Sequence, residues 1–119
     1  MYKYKATILS CYDSDTYTVL IDLGFNINLK EKIRLLGIDS PEIRTSNKKE
    51  KALAYEARDY IRKLIEGKEV IIETEKTGKY GRYLANVFYD DININNELIR
   101  LGYARPYDGG KREEWFKGS

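Results

Sequence analysis

Two acidic clusters in the sequence could carry chemistry. Asp13 and Asp15 lie two residues apart in a predicted turn, and Asp39 and Glu42 flank a Ser-Pro dipeptide. Carboxylate and carbonyl oxygens at such positions suit a hard cation such as Ca²⁺ or Mg²⁺, whereas zinc and copper prefer nitrogen and sulfur ligands. Aspartate in a turn also serves turn geometry and helix capping, so the clusters alone leave both interpretations open.

Two arginines near these clusters could bind phosphate. Arg34 precedes Asp39 by five residues, and Arg82 follows Gly81 at the start of a predicted strand. A guanidinium group binds two phosphate oxygens at once and stays charged at any working pH. An odd separation places Arg34 and Asp39 on opposite faces of a regular strand, so bringing them together requires a bulge or twist near Gly37. Ordinary surface ion pairs are the competing interpretation of both arginines.

The residue types that the sequence lacks restrict the chemistry further. The chain has no histidine and one cysteine, Cys11. Without histidine there can be no Ser-His or Cys-His triad, histidine zinc site or two-histidine ribonuclease mechanism, so an enzymatic base here would be a carboxylate. One cysteine excludes an intrachain disulfide, and we expect it to be buried. The net charge of +2 neither requires nor excludes nucleic acid.

The wider pattern predicts the elements that position these residues. The 119 residues suffice for a single domain, residues 1–119, with its own core. Apolar periodicity predicts strands and two helices, in the order strand, strand, strand, helix, strand, strand, helix, at residues 3–11, 16–23, 27–38, 47–66, 69–75, 82–89 and 95–101. Asn47 and Glu50 have the spacing of a capping box.

This βββ-α-ββ-α order predicts the fold class. We expect an α+β protein, a five-stranded OB-fold β-barrel with helices, because closing the barrel removes the edges that five strands would otherwise expose. A ferredoxin-like sandwich fits less well, since it needs a helix after its first strand.

Three blocks of the sequence together resemble the staphylococcal nuclease (thermonuclease) family. They are Asp13-Ser14-Asp15-Thr16, Ile33–Glu42 and Lys79-Tyr80-Gly81-Arg82, and they occur in that family's order at closely similar spacing. The predicted first helix and the segment 95–104 also match, so the resemblance spans roughly residues 4–105. Ser14 stands where the family usually has glycine, and a serine there would cost about 1–2 kcal/mol if the position needs a positive φ.

The resemblance implies a Ca²⁺ site, with Mg²⁺ the less favoured ion. Asp15 and Asp39 match the carboxylate ligands of the family, and Ser40 matches the position whose backbone carbonyl also binds the ion. Asp13 matches an acidic residue near the metal that is not a direct ligand. Because Ca²⁺ takes about six to eight oxygens, water and substrate phosphate would fill the remaining positions. We therefore expect weak metal binding in the absence of nucleic acid.

The resemblance also implies how a substrate would be bound and cut. Arg34 and Arg82 match two arginines that clasp the scissile phosphate, and Glu42 matches the carboxylate proposed as general base toward the attacking water. The products would end in a 3′-phosphate. Residues expected near other parts of a bound nucleotide are Lys79 and Tyr80, near its far phosphate, and Tyr107, as a candidate for stacking on a base.

Taken together, the sequence predicts a monomeric Ca²⁺-dependent nuclease acting on DNA, RNA or both. The leading alternative is a non-catalytic OB-fold module that binds nucleic acid, although the catalytic residue types are all present. A restriction-type nuclease, suggested by Glu66-Gly67-Lys68, would need a strand where Gly67 is expected to end a helix. A plain structural or interaction domain leaves the three matching blocks unexplained.

The expected environment of the protein follows from its apolar segments. No apolar run approaches the ~20 residues of a membrane helix, so we expect no membrane contact. The first residues lack the apolar stretch of a secretory signal, which predicts a cytoplasmic protein if the sequence is the whole chain.

Overall fold

Five main strands, three short strands and two helices form the part of the chain that the computed structural model describes, residues 2–74 and 83–116. In chain order they are β1 (Tyr2–Asp13), β2 (Thr16–Asp22), β3 (Asn28–Leu35), β4 (Ile38–Asp39), α1 (Lys48–Ile65), β5 (Glu69–Thr74), β6 (Tyr83–Tyr89), β7 (Ile92–Asn93), α2 (Ile94–Arg100) and β8 (Arg105–Pro106). Both helices begin and end within one residue of the predicted bounds.

The five long strands close into a barrel. β1 pairs antiparallel with β2 and β5, β2 pairs with β3, and β5 pairs with β6. A parallel pairing between β3 and β6, with Arg34 opposite Leu84, closes the ring. The predicted α+β fold, an OB-type barrel of five strands with helices, is confirmed. The short strands β4 and β8 form a separate pair that the periodicity did not predict.

The core lies inside the barrel and under the two helices. Inward-facing strand residues such as Ile8, Tyr17 and Ile72 are fully buried, as is the inner face of α1 around Ile61. Each such aliphatic side chain contributes roughly 1.5–3 kcal/mol by leaving water. Cys11 is also buried, as predicted, and burial raises the pKa of its thiol to about 12, so it remains a protonated core residue.

The helix α1 ends where the sequence predicts. Glu66 is its C-cap, and Gly67 follows with a φ of +80°, a conformation that glycine adopts without strain. The Glu66-Gly67-Lys68 motif therefore forms a helix end, and a restriction-type site there is excluded because it would need a strand. Within the described ranges, no helix is both long and apolar enough to cross a membrane.

The predicted third strand is interrupted before it reaches Asp39. β3 ends at Leu35, Gly37 adopts a φ of +77°, and the chain resumes as β4 at Ile38. The prediction of one continuous strand over residues 27–38 is therefore wrong, because its apolar run hides a turn. Alternation along a single strand no longer relates Arg34 to Asp39, which lies on a different element.

Candidate active site

The first acidic cluster occupies the tight turn between β1 and β2. The Asp15 backbone N–H donates to Asp13 Oδ1 at 3.1 Å, which fixes the turn, and Thr16 Oγ1 donates to Asp15 Oδ1 at 3.0 Å. Asp15 is 5% exposed, although aspartate is seldom buried without a partner. Leu35 N–H donates to the Asp15 carbonyl at 2.9 Å, so the end of β3 lies directly beside this turn.

Ser14 does not have the strain considered at its position. Its φ is not in the positive region, and the turn accommodates a serine without that cost. The Ser14 hydroxyl is nevertheless buried and has no hydrogen-bond partner among the described residues. A buried polar group without a partner costs about 1–3 kcal/mol, so this oxygen is an unused donor or acceptor beside two carboxylates.

The charge at the turn depends on the protonation of Asp13. Arg34, which pairs with Thr16 across the β2–β3 ladder, places Nη2 3.5 Å from Asp15 Oδ2. Burial raises the pKa of Asp13 to about 8, and the hydrogen bond and negative charge of Asp15 add to the shift. Below that pH Asp13 is therefore a neutral carboxylic acid, and the turn gains a second negative charge only when Asp13 loses its proton.

Asp39, in the second acidic cluster, is surrounded by hydrogen-bond donors. The β4–β8 pairing sets Arg105 opposite Asp39, and its Nε and Nη2 lie 3.2 and 3.1 Å from Asp39 Oδ2. Arg112 Nε donates to Oδ1 at 3.1 Å, and Trp115 Nε1 donates to Oδ2 at 3.1 Å. Asp39 is thus a buried carboxylate held by two guanidinium groups and an indole.

Glu42 and Glu50 extend this arrangement. The Glu42 side chain is 54% exposed, and its Oε1 lies 3.6 Å from Arg112 Nε. Its backbone N–H donates to Glu50 Oε2 at 2.8 Å, while Arg112 Nη2 donates to the same oxygen at 2.7 Å. Asn47 caps α1 as predicted, accepting from Glu50 N–H at 3.0 Å, but the Glu50 carboxylate reaches across to the Glu42 loop and to Arg112.

Comparison with known proteins identifies the family. Residues 32–116 match the profile of the family described as "Staphylococcal nuclease homologue". The chain belongs to this family. The match runs from within β3 to the C-terminal tail and includes Arg34 and the residues around Asp39 and Glu42.

The relatives of this chain include proteins named as nucleases and proteins named as uncharacterized. A Methanocaldococcus jannaschii protein named as uncharacterized is 35% identical over 87% of this chain and 59% of its own length. "Probable staphylococcal-like nuclease CAN2" of Oryza sativa subsp. japonica is 30% identical over 91% of this chain and 25% of its own. "Probable endonuclease LCL3" of Candida dubliniensis is 30% identical over 71% and 40%, respectively. This chain therefore spans less than two thirds of each relative.

The donor chemistry of the acidic turn fits the cation that the family implies. Asp15 supplies a buried carboxylate, Asp13 supplies a half-buried carboxyl group that a bound cation would favour in its charged form, and the Ser14 hydroxyl adds an oxygen that has no partner among the described residues. Asp39 fits less well, because both of its oxygens already accept from cationic or indole N–H groups. In residues 2–74 and 83–116, no three Asp, Glu, Cys or His side chains are grouped to hold a metal ion.

The other predicted site residues divide by location. Ser40 is buried next to Asp39, so its position in the loop is fixed. Tyr107 donates its N–H to the Gly37 carbonyl at 2.9 Å and its hydroxyl to the Gly110 carbonyl, beside a shallow depression of about 460 Å³. Three residues expected to bind substrate lie outside the described residues: Lys79, Tyr80 and Arg82. The assigned roles of all these residues stay predictions.

Four residues that organise the second cluster were not predicted from the sequence. They are Arg105, Arg112, Trp115 and Glu50, whose carboxylate makes long-range hydrogen bonds that its place in a capping box does not predict. No element was predicted after residue 101. One signal was available: an indole and two arginines within eleven residues can together bind a carboxylate, whereas a solvated tail has little use for a tryptophan.

Proposed function

We propose that the protein is a metal-dependent nuclease that hydrolyses phosphodiester bonds of DNA, RNA or both. The observation that carries this proposal is the juxtaposition at the end of β3. There Arg34 faces the acidic turn at Asp15, and the following loop presents Glu42 as an exposed carboxylate. A guanidinium, a cation-binding turn and a solvent-accessible base are the groups that phosphodiester hydrolysis needs.

The proposed roles follow from where charge develops. Arg34 and Arg82 donate to the equatorial phosphate oxygens, whose negative charge grows in the transition state, so they stabilise it more than the ground state. Glu42 accepts a proton from the attacking water or holds that water in line. Lys79, Tyr80 and Tyr107 bind the remainder of the nucleotide.

The finer features of the proposal concern the ion and the products. Asp15, assisted by Asp13, holds Ca²⁺, and Asp39 and the Ser40 carbonyl are the further ligands that the family pattern gives. Such an ion supplies positive charge for the phosphate and lowers the pKa of bound water. The leaving group is the 5′ oxygen, which leaves a 3′-phosphate. The protein acts as a monomer.

A cleavage assay on purified protein tests the proposal. Single-stranded DNA and RNA are incubated with Ca²⁺, with Mg²⁺ or with EDTA, and the product ends are tested for extension by a polymerase before and after phosphatase treatment. We expect cleavage with Ca²⁺, no cleavage with EDTA, and extension only after the phosphatase. Arg82→Ala should remain folded and lose most activity, whereas Arg58→Ala, on the outer surface of α1, should keep it.

A non-catalytic binding module is the second candidate. It is favoured by one observation, the neutralisation of Asp39 by Arg105 and Arg112, which leaves that carboxylate poorly suited to a cation. Folded protein that retards single-stranded nucleic acid on a gel, and leaves it intact with Ca²⁺ and with Mg²⁺, would establish this function instead.

A further inference from the structure

The C-terminal strap, residues 105–116, is built into the side of the candidate site. Its first residue, Arg105, contacts Asp39, and the guanidinium carbon lies 4.5 Å from the ring centre of Trp115. The Phe116 carbonyl accepts from Asn47 Nδ2 at 3.0 Å, which attaches the strap to the start of α1. Contacts at both ends and in the middle therefore hold this segment in one place.

Arg112 connects the strap to three carboxylates at once. Its Nε lies 3.1 Å from Asp39 Oδ1 and 3.6 Å from Glu42 Oε1, and its Nη2 lies 2.7 Å from Glu50 Oε2. A guanidinium group can do this because its five N–H donors are fixed in one plane, whereas an ammonium group on a flexible stem has no such geometry.

Two of the carboxylates that Arg112 contacts are buried, so these contacts matter for stability. The side chains of Asp39 and Glu50 are 5% and 6% exposed, so each needs a counter-charge, and Arg112 is shared between them. Glu50 in turn accepts the backbone N–H of Glu42. Arg112 thus acts on Glu42 twice, on the carboxylate directly and on the backbone through Glu50.

We propose that Arg112 is a positioning residue that holds Glu42 in its reactive orientation. The inference rests on the proposed function, in which Glu42 handles the attacking water. Glu42 is more than half exposed, and a solvent-exposed carboxylate samples many rotamers unless something restrains it. Arg112 supplies that restraint from a segment of the chain remote from the loop. Misplacing a reacting group by about 1 Å can cost about 10²-fold in rate.

The decisive protein is the double variant Arg112→Met/Glu50→Gln. Arg112→Met alone strips the buried Glu50 carboxylate of its guanidinium partner and destabilises the fold, so its activity would be ambiguous. Glu50→Gln removes the buried charge but keeps an oxygen that can accept from the Glu42 N–H. The single variant Glu50→Gln is the reference, and Arg58→Met is the matched arginine control, since the guanidinium of Arg58 makes its ion pair and its cation–π contact with Asp59 and Tyr55 of α1 itself.

We expect the double variant to unfold at a moderately lower urea concentration than Glu50→Gln, because Asp39 Oδ1 loses its donor while Arg105 and Trp115 still hold Oδ2, and to be folded under assay conditions with kcat lower by about 10–100-fold and KM within about threefold. If Arg112 only stabilised the fold, a folded double variant would have the same kcat as Glu50→Gln. A double variant that turns over at the Glu50→Gln rate therefore overturns the inference. A double variant that is faster also overturns it, because the strap would then obstruct the site.

Amide hydrogen exchange at Glu42 separates this inference from the proposed function. If wild-type protein cuts neither DNA nor RNA, the proposed function fails, but the restraint on the Glu42 loop is still measurable by NMR. Faster exchange of the Glu42 N–H in the double variant than in Glu50→Gln, with Arg58→Met unchanged from wild type, supports the restraint by Arg112. Equal exchange rates in the two variants overturn it.

Discussion

The acidic turn, Asp13–Thr16, and the carboxylate corner formed by Asp39, Glu42 and Glu50 contain similar groups in opposite electrostatic states. At the turn, two aspartates share one arginine, whose Nη2 is 3.5 Å from Asp15. At the corner, Arg105 and Arg112 approach to between 2.7 and 3.2 Å of the two buried carboxylates, and Trp115 adds an indole N–H. At the turn, a second negative charge is disfavoured and the pKa of Asp13 is raised, whereas at the corner the two buried carboxylates are nearly neutralised.

This difference indicates what each region can do. A cation at the turn would favour the charged form of Asp13 and give a partner to the Ser14 hydroxyl, which has none among the described residues, whereas without the cation these groups lower local stability. The corner resembles a preorganised support, in which buried ion pairs fix the backbone and leave only Glu42 exposed. Variants in each region can test this difference in role.

Glu42→Gln should have the largest effect. The amide keeps the size of the side chain but cannot accept a proton from water, so we expect cleavage to slow by about 10²–10³-fold with stability nearly unchanged. Steady-state rates on single-stranded DNA, alongside urea unfolding, measure both quantities. Glu69→Gln, an exposed carboxylate at the start of β5, is the control. A Glu42→Gln enzyme as fast as wild type would mean that the corner provides no base.

The two regions also differ in how far the sequence could predict them. The acidic turn is local: Asp13, Asp15 and the strands on either side are neighbours in the chain, and the turn chemistry of aspartate is sufficient to place them. The residues around Asp39 are not local, because Arg112 and Trp115 lie 73 and 76 positions away. The periodic pattern of apolar residues carries no information about contacts between residues so far apart in the chain.

Two further departures have the same physical origin. The run over residues 27–38 has the pattern of one strand, because its late apolar residues can be buried equally well in a strand or in a turn. Gly37 was the one residue in the run that indicated a break. Glu50 matched a capping box, but tertiary partners compete for its carboxylate, and the guanidinium of Arg112 offers the stronger charge-assisted bond. Local signals therefore predicted the fold well and the corner poorly.

Asp13→Asn should stabilise the metal-free protein at alkaline pH. The folded-state pKa of Asp13 is raised from 3.8 to about 8 by burial and by Asp15. Its contribution to stability is therefore fully present below about pH 4 and is lost as pH rises through 8. We expect the variant to gain a few kcal/mol over wild type at pH 8.5, with about 5 kcal/mol as the upper bound for a shift of this size, and little at pH 4.

Urea unfolding in EDTA at several pH values measures this difference. Asn keeps an oxygen that can accept from the Asp15 N–H, so the turn geometry is retained. Asp90→Asn, at an exposed turn with a positive φ that asparagine tolerates, should follow the wild-type pH profile. Parallel profiles for wild type and Asp13→Asn would show that the turn carries no excess charge.

In the absence of nucleic acid, calcium should stabilise the protein through the turn, with Asp39 and the Ser40 carbonyl contributing only when substrate is bound. For a weak site with a Kd of about 1 mM, 10 mM Ca²⁺ would add about 1.4 kcal/mol, and Asp15→Asn would abolish the gain. Trp115 is the only tryptophan, so tryptophan emission reports on the surroundings of Asp39 and Arg105. We expect that emission to stay unchanged when Ca²⁺ binds to the free protein. A large spectral change would instead mean that the ion recruits Asp39 and displaces the strap.

Trp115→Phe should have the smallest effect and tests the neutralisation of the corner directly. Phenylalanine keeps an aromatic ring over Arg105 but loses the indole N–H that donates to Asp39 at 3.1 Å. Arg105 and Arg112 still neutralise the carboxylate, so we expect a loss of only about 1 kcal/mol in urea unfolding. Tyr12→Phe, which alters an exposed aromatic side chain on β1, should lose less. A loss of several kcal/mol would show that the indole, rather than the two guanidinium groups, is what keeps Asp39 buried.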